Sequence, residues 1–173
     1  MEETPAVVED LALGAFRLVK QALDLELDFT AETLPILDHY LSTLRDAAGA
    51  PDEKLVSVAG PCAGAYFGEV ARRTLPDLAW VLPEEPHDYP AWRLEGTRAP
   101  LSFNPIGAAL EAIFGEPLAD WNAHVELPPA ERARVDAALK AVAPVRESDF
   151  FRLTVRHEAL QEILVALGRP TVH

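Results

Sequence analysis

Cys62, the histidines His39, His87, His124, His157 and His173, and the carboxylates are the side chains with which this chain could do chemistry. Cys62 follows Pro61, where a helix can begin, and a helix N-terminus lowers a thiol pKa enough to make a nucleophile. Its flanks, Gly60, Ala63 and Gly64, favour the plainer reading of a small buried residue in an apolar segment. A single cysteine excludes an intramolecular disulfide framework and a cysteine-based zinc site. No two histidines stand four apart and no His-Glu-x-x-His pattern occurs, so the spacing contains no helical zinc site. Asp38-His39 and His157-Glu158 are adjacent, which on a helix turns the two side chains to different faces. Glu69 stands apart from the other carboxylates because it ends a nearly uncharged run and could be partly desolvated. The favoured expectation for it is an ion pair with Arg72 or Arg73 on an exposed turn.

Gly60, Gly64 and Gly68 are spaced by fours, which matches neither the dinucleotide fingerprint nor the phosphate loop. No Gly-x-Ser-x-Gly elbow is present to carry a serine nucleophile. The residue types and spacings therefore assign no catalytic residue, no cofactor and no metal. What they do mark is the segment Pro83 to Pro90, with three prolines in eight residues carrying Glu84, Glu85, Asp88 and Tyr89, and with Trp92 just beyond. A stiff acidic loop bearing aromatics binds a basic partner at little entropic cost. Its other reading is a solvated loop whose charges keep a sheet edge soluble. Trp121 and His124, in the irregular stretch Asp120 to Glu126, share that ambiguity.

The elements that must position these residues follow from periodicity and punctuation. Thr4-Pro5 reads as a cap followed by proline, and Val8, Leu11, Ala15, Leu18, Ala22 and Leu25 then recur at helical steps, predicting a helix over 5–25. Leu34, Leu37, Leu41, Leu44 and Ala48 predict a second over about 31–48, capped by Thr30 or Thr33 and ended by Gly49 and Pro51. Residues 52–74, capped by Asp52, are uncharged nearly all round and read as a central buried helix. Its glycine stripe lets another backbone approach, and Pro61 should kink or divide it. Strands are expected at about 78–82, 91–95 and 100–103, the last two joined by a turn at Gly96-Thr97-Arg98, with Trp92 and Leu94 alternating against Arg93 and Glu95 and with Leu101 and Phe103 facing inward. Further helices are expected at about 105–114 and 129–142, with a last one carrying Leu160, Ile163, Leu164 and Leu167 and ended by Gly168 and Pro170. Phe150-Phe151 should anchor the connection into that helix. The fold class is α+β: one mostly helical domain over 1–173 with a small three-stranded antiparallel sheet, and with flexible ends at 1–4 and 170–173.

The segment Gly64-Ala65-Tyr66-Phe67-Gly68-Glu69-Val70, then Arg72-Arg73, Trp80 and Phe103-Asn104-Pro105, resembles a pattern met in small bacterial domains of unknown function. In that family a Gly-Ala-Tyr-x-Gly-Glu-Val helix is followed by basic residues, a Trp strand and a hairpin leading into a helix. The resemblance covers roughly residues 52–115 and implies no catalytic residue.

The chain has 173 residues, 15 Lys and Arg against 28 Asp and Glu, and a formal net charge of −13. At this size it can bury a core without metal or disulfides. Its anionic field disfavours nucleic acid and anionic lipid as ligands. The acidic first ten residues do not resemble a secretory signal, and the longest uncharged run, Leu55 to Gly68, is too short to span a bilayer. A cytoplasmic protein is expected, and the excess of arginine over lysine points to a GC-rich, bacterial genome. The leading functional expectation is a non-enzymatic accessory, adaptor or immunity-type domain that recognises a basic protein through Glu84, Glu85, Asp88, Tyr89 and Trp92. The alternatives are a small hydrolase-type enzyme using Cys62 or a His/Glu set, and a homo-oligomeric module packing through the apolar face of the first helix.

Overall fold

The computed structural model describes residues 3–45, 48–142 and 144–168, so the expected loose ends at 1–2 and 170–173 lie outside the described residues. Helices α1 (Ala6–Leu23), α2 (Leu34–Ser42) and α3 (Glu53–Thr74) come first, then strands β1 (Leu78–Val81), β2 (Arg93–Gly96) and β3 (Ser102–Phe103). Helices α4 (Pro105–Phe114), α5 (Pro129–Lys140) and α6 (Leu153–Gly168) complete an α+β domain. The sheet is antiparallel in the order β1-β2-β3, with Leu78 opposite Gly96 and Leu94 opposite Phe103.

α3 is the axis of the molecule. Asp52 caps it by accepting from the Lys54 and Leu55 amides, and every residue from Ala59 to Ala71 is buried. α1 packs on one side of it and α4 on another. The glycine stripe explains the second contact. A Cβ at Gly64 would lie 2.4 Å from the Ile106 Cα, and one at Gly68 would lie 2.2 Å from the Trp80 ring. The missing Cβ at Gly64 thus lets α4 approach, and that at Gly68 lets the Trp80 indole of β1 lie against α3. Helix α3 runs through Pro61 as one element over nearly the expected 52–74, so of the kink or division expected at that proline the division does not occur. Burial all round it supplies the packing that offsets the backbone hydrogen bond that proline removes.

Several boundaries differ from expectation, β3 for one being only Ser102–Phe103. At the start of α1, Pro5 occupies the cap position and Thr4 makes no capping bond, its hydroxyl being engaged by Glu69 instead. α2 stops at Ser42, with Thr33 as its cap and Pro35 in its first turn, whereas Thr30 precedes a separate 3₁₀ turn at Ala31–Thr33. It ends early because the Ser42 and Thr43 hydroxyls bond back to the His39 and Tyr40 carbonyls, and Arg45 then pairs with Pro51 as an isolated bridge. β2 starts at Arg93 because Tyr89–Ala91 forms a 3₁₀ turn. The expected inward face survives these shifts: Trp92, Leu94, Leu101 and Phe103 are all buried. Among the described residues no helix is long and apolar enough to cross a membrane.

Candidate functional site

The loop between β1 and β2 is built from beneath. Trp92 is fully buried and its indole N–H donates to the Pro86 carbonyl at 3.0 Å, which pins the middle of the loop. The Trp92 ring meets Trp80 and Tyr89 edge-on, with centroids 5.8 and 5.6 Å away. From the other side the Asn104 amide donates to the Tyr89 carbonyl at 2.9 Å and to the Pro90 carbonyl at 3.3 Å. The same side chain caps α4 through its oxygen, which accepts from the Ile106 and Gly107 amides. Asn104 therefore fixes both the loop and the helix with one amide group. Its capping role is legible from Asn-Pro in the sequence; its hold on the loop is not.

Glu84, Glu85 and Asp88 are exposed on this scaffold and Tyr89 is half-buried. Glu85 is additionally ordered by the His87 backbone amide and ring, each at 3.2 Å. Trp92 corrects the sequence expectation: it has no exposed surface with which to meet a partner, because its indole fills the space between sheet and loop. Its part is to position the acidic residues above it.

Glu69 is a second correction. Instead of lying on an exposed turn it is fully buried, and its carboxylate gathers four side chains. Oε1 accepts from Thr4 Oγ1 at 2.7 Å, Arg72 Nη2 at 2.6 Å and Arg73 Nε at 2.9 Å. Oε2 accepts from Arg72 Nε and from the Trp80 indole, both at 3.0 Å. Burial alone would raise the pKa of Glu69, but the Arg72, Thr4, Trp80 and Arg73 donors outweigh it and hold the carboxyl at about 2. The Arg73 guanidinium also lies 3.9 Å from the centroid of the Phe29 ring. Phe29 has a left-handed backbone (φ 63°), held by its amide donating to the Tyr66 hydroxyl and by stacking of the two rings at 5.1 Å. One buried carboxylate thus links the N-terminal segment, the 28–33 turn and β1 to the central helix.

The other buried polar groups have comparable duties. Asp38 accepts from the Leu153 and Thr154 amides and the Thr154 hydroxyl, capping α6 from α2. Glu111 pairs with Arg156 and accepts from the Leu118 amide at 3.0 Å, joining α4, α6 and the segment between. His157 is buried, which holds its imidazole below the usual histidine range. Thr74 must give its one hydroxyl proton to the Val70 carbonyl, so it accepts from Nε2–H of His157, which fixes the neutral tautomer. Cys62 is buried against Gly14, and burial pushes its thiol above the ordinary range, away from nucleophilic character. Nothing in the sequence pairs these groups, since each partner lies on a distant element.

Among the described residues no group of three His, Cys, Asp or Glu side chains is arranged to hold a metal ion. A cleft of about 780 Å³ lies between α2, the segment 144–149 and the start of α6. Four of its charged groups are committed, Asp38 to the α6 cap, Arg152 to Asp149 at 3.1 Å and Arg45 to the Ile113 carbonyl. Compared with family models, curated proteins and solved structures, the chain matches none of them.

Proposed function

We propose that this protein is a non-enzymatic binding domain, of accessory, adaptor or immunity type, which recognises a basic protein through the loop bearing Glu84, Glu85, Asp88 and Tyr89. The observation that carries the reading is the way the loop is held. Trp92 and Asn104 anchor it from the inside, so three exposed carboxylates stand on a scaffold that loses little freedom on docking. The overall charge of −13 adds long-range attraction for a basic surface. The buried carboxylates fit the same reading by their occupations, because Glu69, Asp38 and Glu111 hold elements together.

The test is affinity capture of basic proteins from lysate at low and high salt, with the wild type beside the triple variant E84Q/E85Q/D88N. The substitutions are isosteric and exposed, so the fold is retained. The wild type should hold a basic protein at low salt and release it at high salt, as expected for screened charges. The triple variant should hold about tenfold less at the same salt, equivalent to ~1.4 kcal/mol of lost attraction. Equal retention by both forms, or no retention at any salt, overturns the proposal.

A further inference from the structure

The cover that α5 lays over the rest of the molecule is incompletely filled. Of its twelve residues only Val135 is buried, whereas α6 beneath it buries Leu153, His157, Leu160, Ile163 and Ala166. Between the two helices lies a cleft of about 260 Å³ that reaches inward to Phe67 on α3 and Phe103 on β3. Val135 and Leu139 form its outer wall, and Leu160 and Ile163 its inner one. The lining is mostly apolar, so an apolar group seated in the cleft would remove that surface from water. Water gains few hydrogen bonds there, so the lining favours an apolar occupant.

The polar groups around the cleft define the other end of that occupant. They are His124, Arg132, Asp136 and Arg156, three of them basic in a chain whose net charge is −13. Arg156 is committed to Glu111 and to the Ala123 carbonyl. Among the described residues Arg132 has no ion-pair partner; it is exposed, and Asp136 follows it one turn later on α5. His124 is exposed and its Nε2 lies 3.8 Å from Glu111. Arg132 is therefore the rim cation left to meet one anionic group, His124 can add an imidazole N–H, and Asp136 opposes a second negative charge.

We infer that the cleft between α5 and α6 binds a small amphipathic monocarboxylate, its apolar tail against Phe67, Phe103 and Leu160 and its head at Arg132 and His124. An apolar cavity of ~150 Å³ accepts benzene, so this one accommodates a tail of roughly eight to ten carbons. The site is separate from the 84–89 loop and does not rest on the proposal made for it.

Calorimetric titration of the full chain with decanoate, decan-1-ol and acetate, each below its aggregation concentration, tests the inference. Decanoate should saturate one site about tenfold more tightly than decan-1-ol, and acetate should not bind. Arg132→Gln, an exposed change, should lower decanoate affinity to near that of the alcohol and leave the alcohol unaffected. Ala159→Phe places a ring in the cleft and should abolish binding of both. In case that variant misfolds, methyl NMR of the wild type supplies the second readout: decanoate should shift Leu139, Leu160 and Ile163 selectively. Absence of saturable decanoate binding, unchanged affinity in a folded Ala159→Phe chain, or methyl shifts confined to another region overturns the inference.

Discussion

A fully buried glutamate that stays ionised is the residue on which most of this structure converges. Glu69 has its carboxyl held at about 2, against an ordinary value of 4.5, by two arginines, a threonine and an indole. As pH falls through 4.5 the unfolded chain takes up this proton while the folded chain does not. The resulting stabilisation is complete above 4.5 and is lost progressively down to about pH 2, a span equivalent to roughly 3 kcal/mol. Urea unfolding of the wild type should therefore show a midpoint that drops steeply between pH 5 and about pH 2.5. Glu69→Gln should flatten that dependence and should cost about 3 kcal/mol at neutral pH, because Arg72, only 7% exposed, is left beside an uncharged partner. A pH profile for Glu69→Gln that parallels the wild type would remove Glu69 from this role. Burial of His157 acts in the same direction: its lowered pKa means that the unfolded chain gains the proton first as pH drops below the ordinary histidine range.

Among the elements, α3 shows how a poor helix sequence becomes the central buried helix of the fold. It carries Gly60, Gly64 and Gly68, each costing ~1 kcal/mol in helix propensity relative to alanine. The contacts made through the missing side chains differ, and they separate two otherwise similar substitutions. A Cβ at Gly64 would meet the backbone of Ile106, which cannot move without displacing α4, whereas one at Gly60 would meet only the end of the Leu110 side chain. Gly64→Ala should therefore destabilise by about 2 kcal/mol net of its propensity gain. Gly60→Ala should remain within about 1 kcal/mol of the wild type, since Leu110 can change rotamer. Chemical denaturation of the two variants side by side is the check, and equal losses would mean that close approach of α4 is not what the stripe provides. The stripe, the Asp52 cap and the inward face of the hairpin were all legible in the sequence, because each is set within a few residues of chain. Whether Pro61 would kink or divide the helix was not, because that depends on what surrounds it.

The whole molecule is closed by contacts between its two halves. Asp38 on α2 caps α6 across 115 residues of sequence, and Arg156 on α6 meets Glu111 on α4. Asp38→Ala removes an acceptor shared by two amides and a hydroxyl, and should cost about 1–3 kcal/mol. Its signature is faster amide exchange at Leu153 and Thr154 with little change at the centre of α3, whereas uniform acceleration would indicate a global effect instead. The apolar face of α1 is in part used within the chain: Val8, Ala12, Ala15 and Val19 are buried, Leu11 and Leu18 are half-buried, and the helix packs on α3.

By itself the sequence determined the α+β class, the order and approximate bounds of the elements, the burial of α3 and the acidic character of the loop above Trp92. Those follow from periodicity, caps and proline placement, which are interactions between neighbours along the chain. Only the tertiary structure decided that Thr4 would meet Glu69 65 residues away, that the Trp92 indole would pin the acidic loop through the Pro86 carbonyl, and that α5 would leave a cleft over α6. The physical reason is range: a buried charge acquires its partners, and a cavity its walls, from how separate elements pack, and no spacing along one element carries that information.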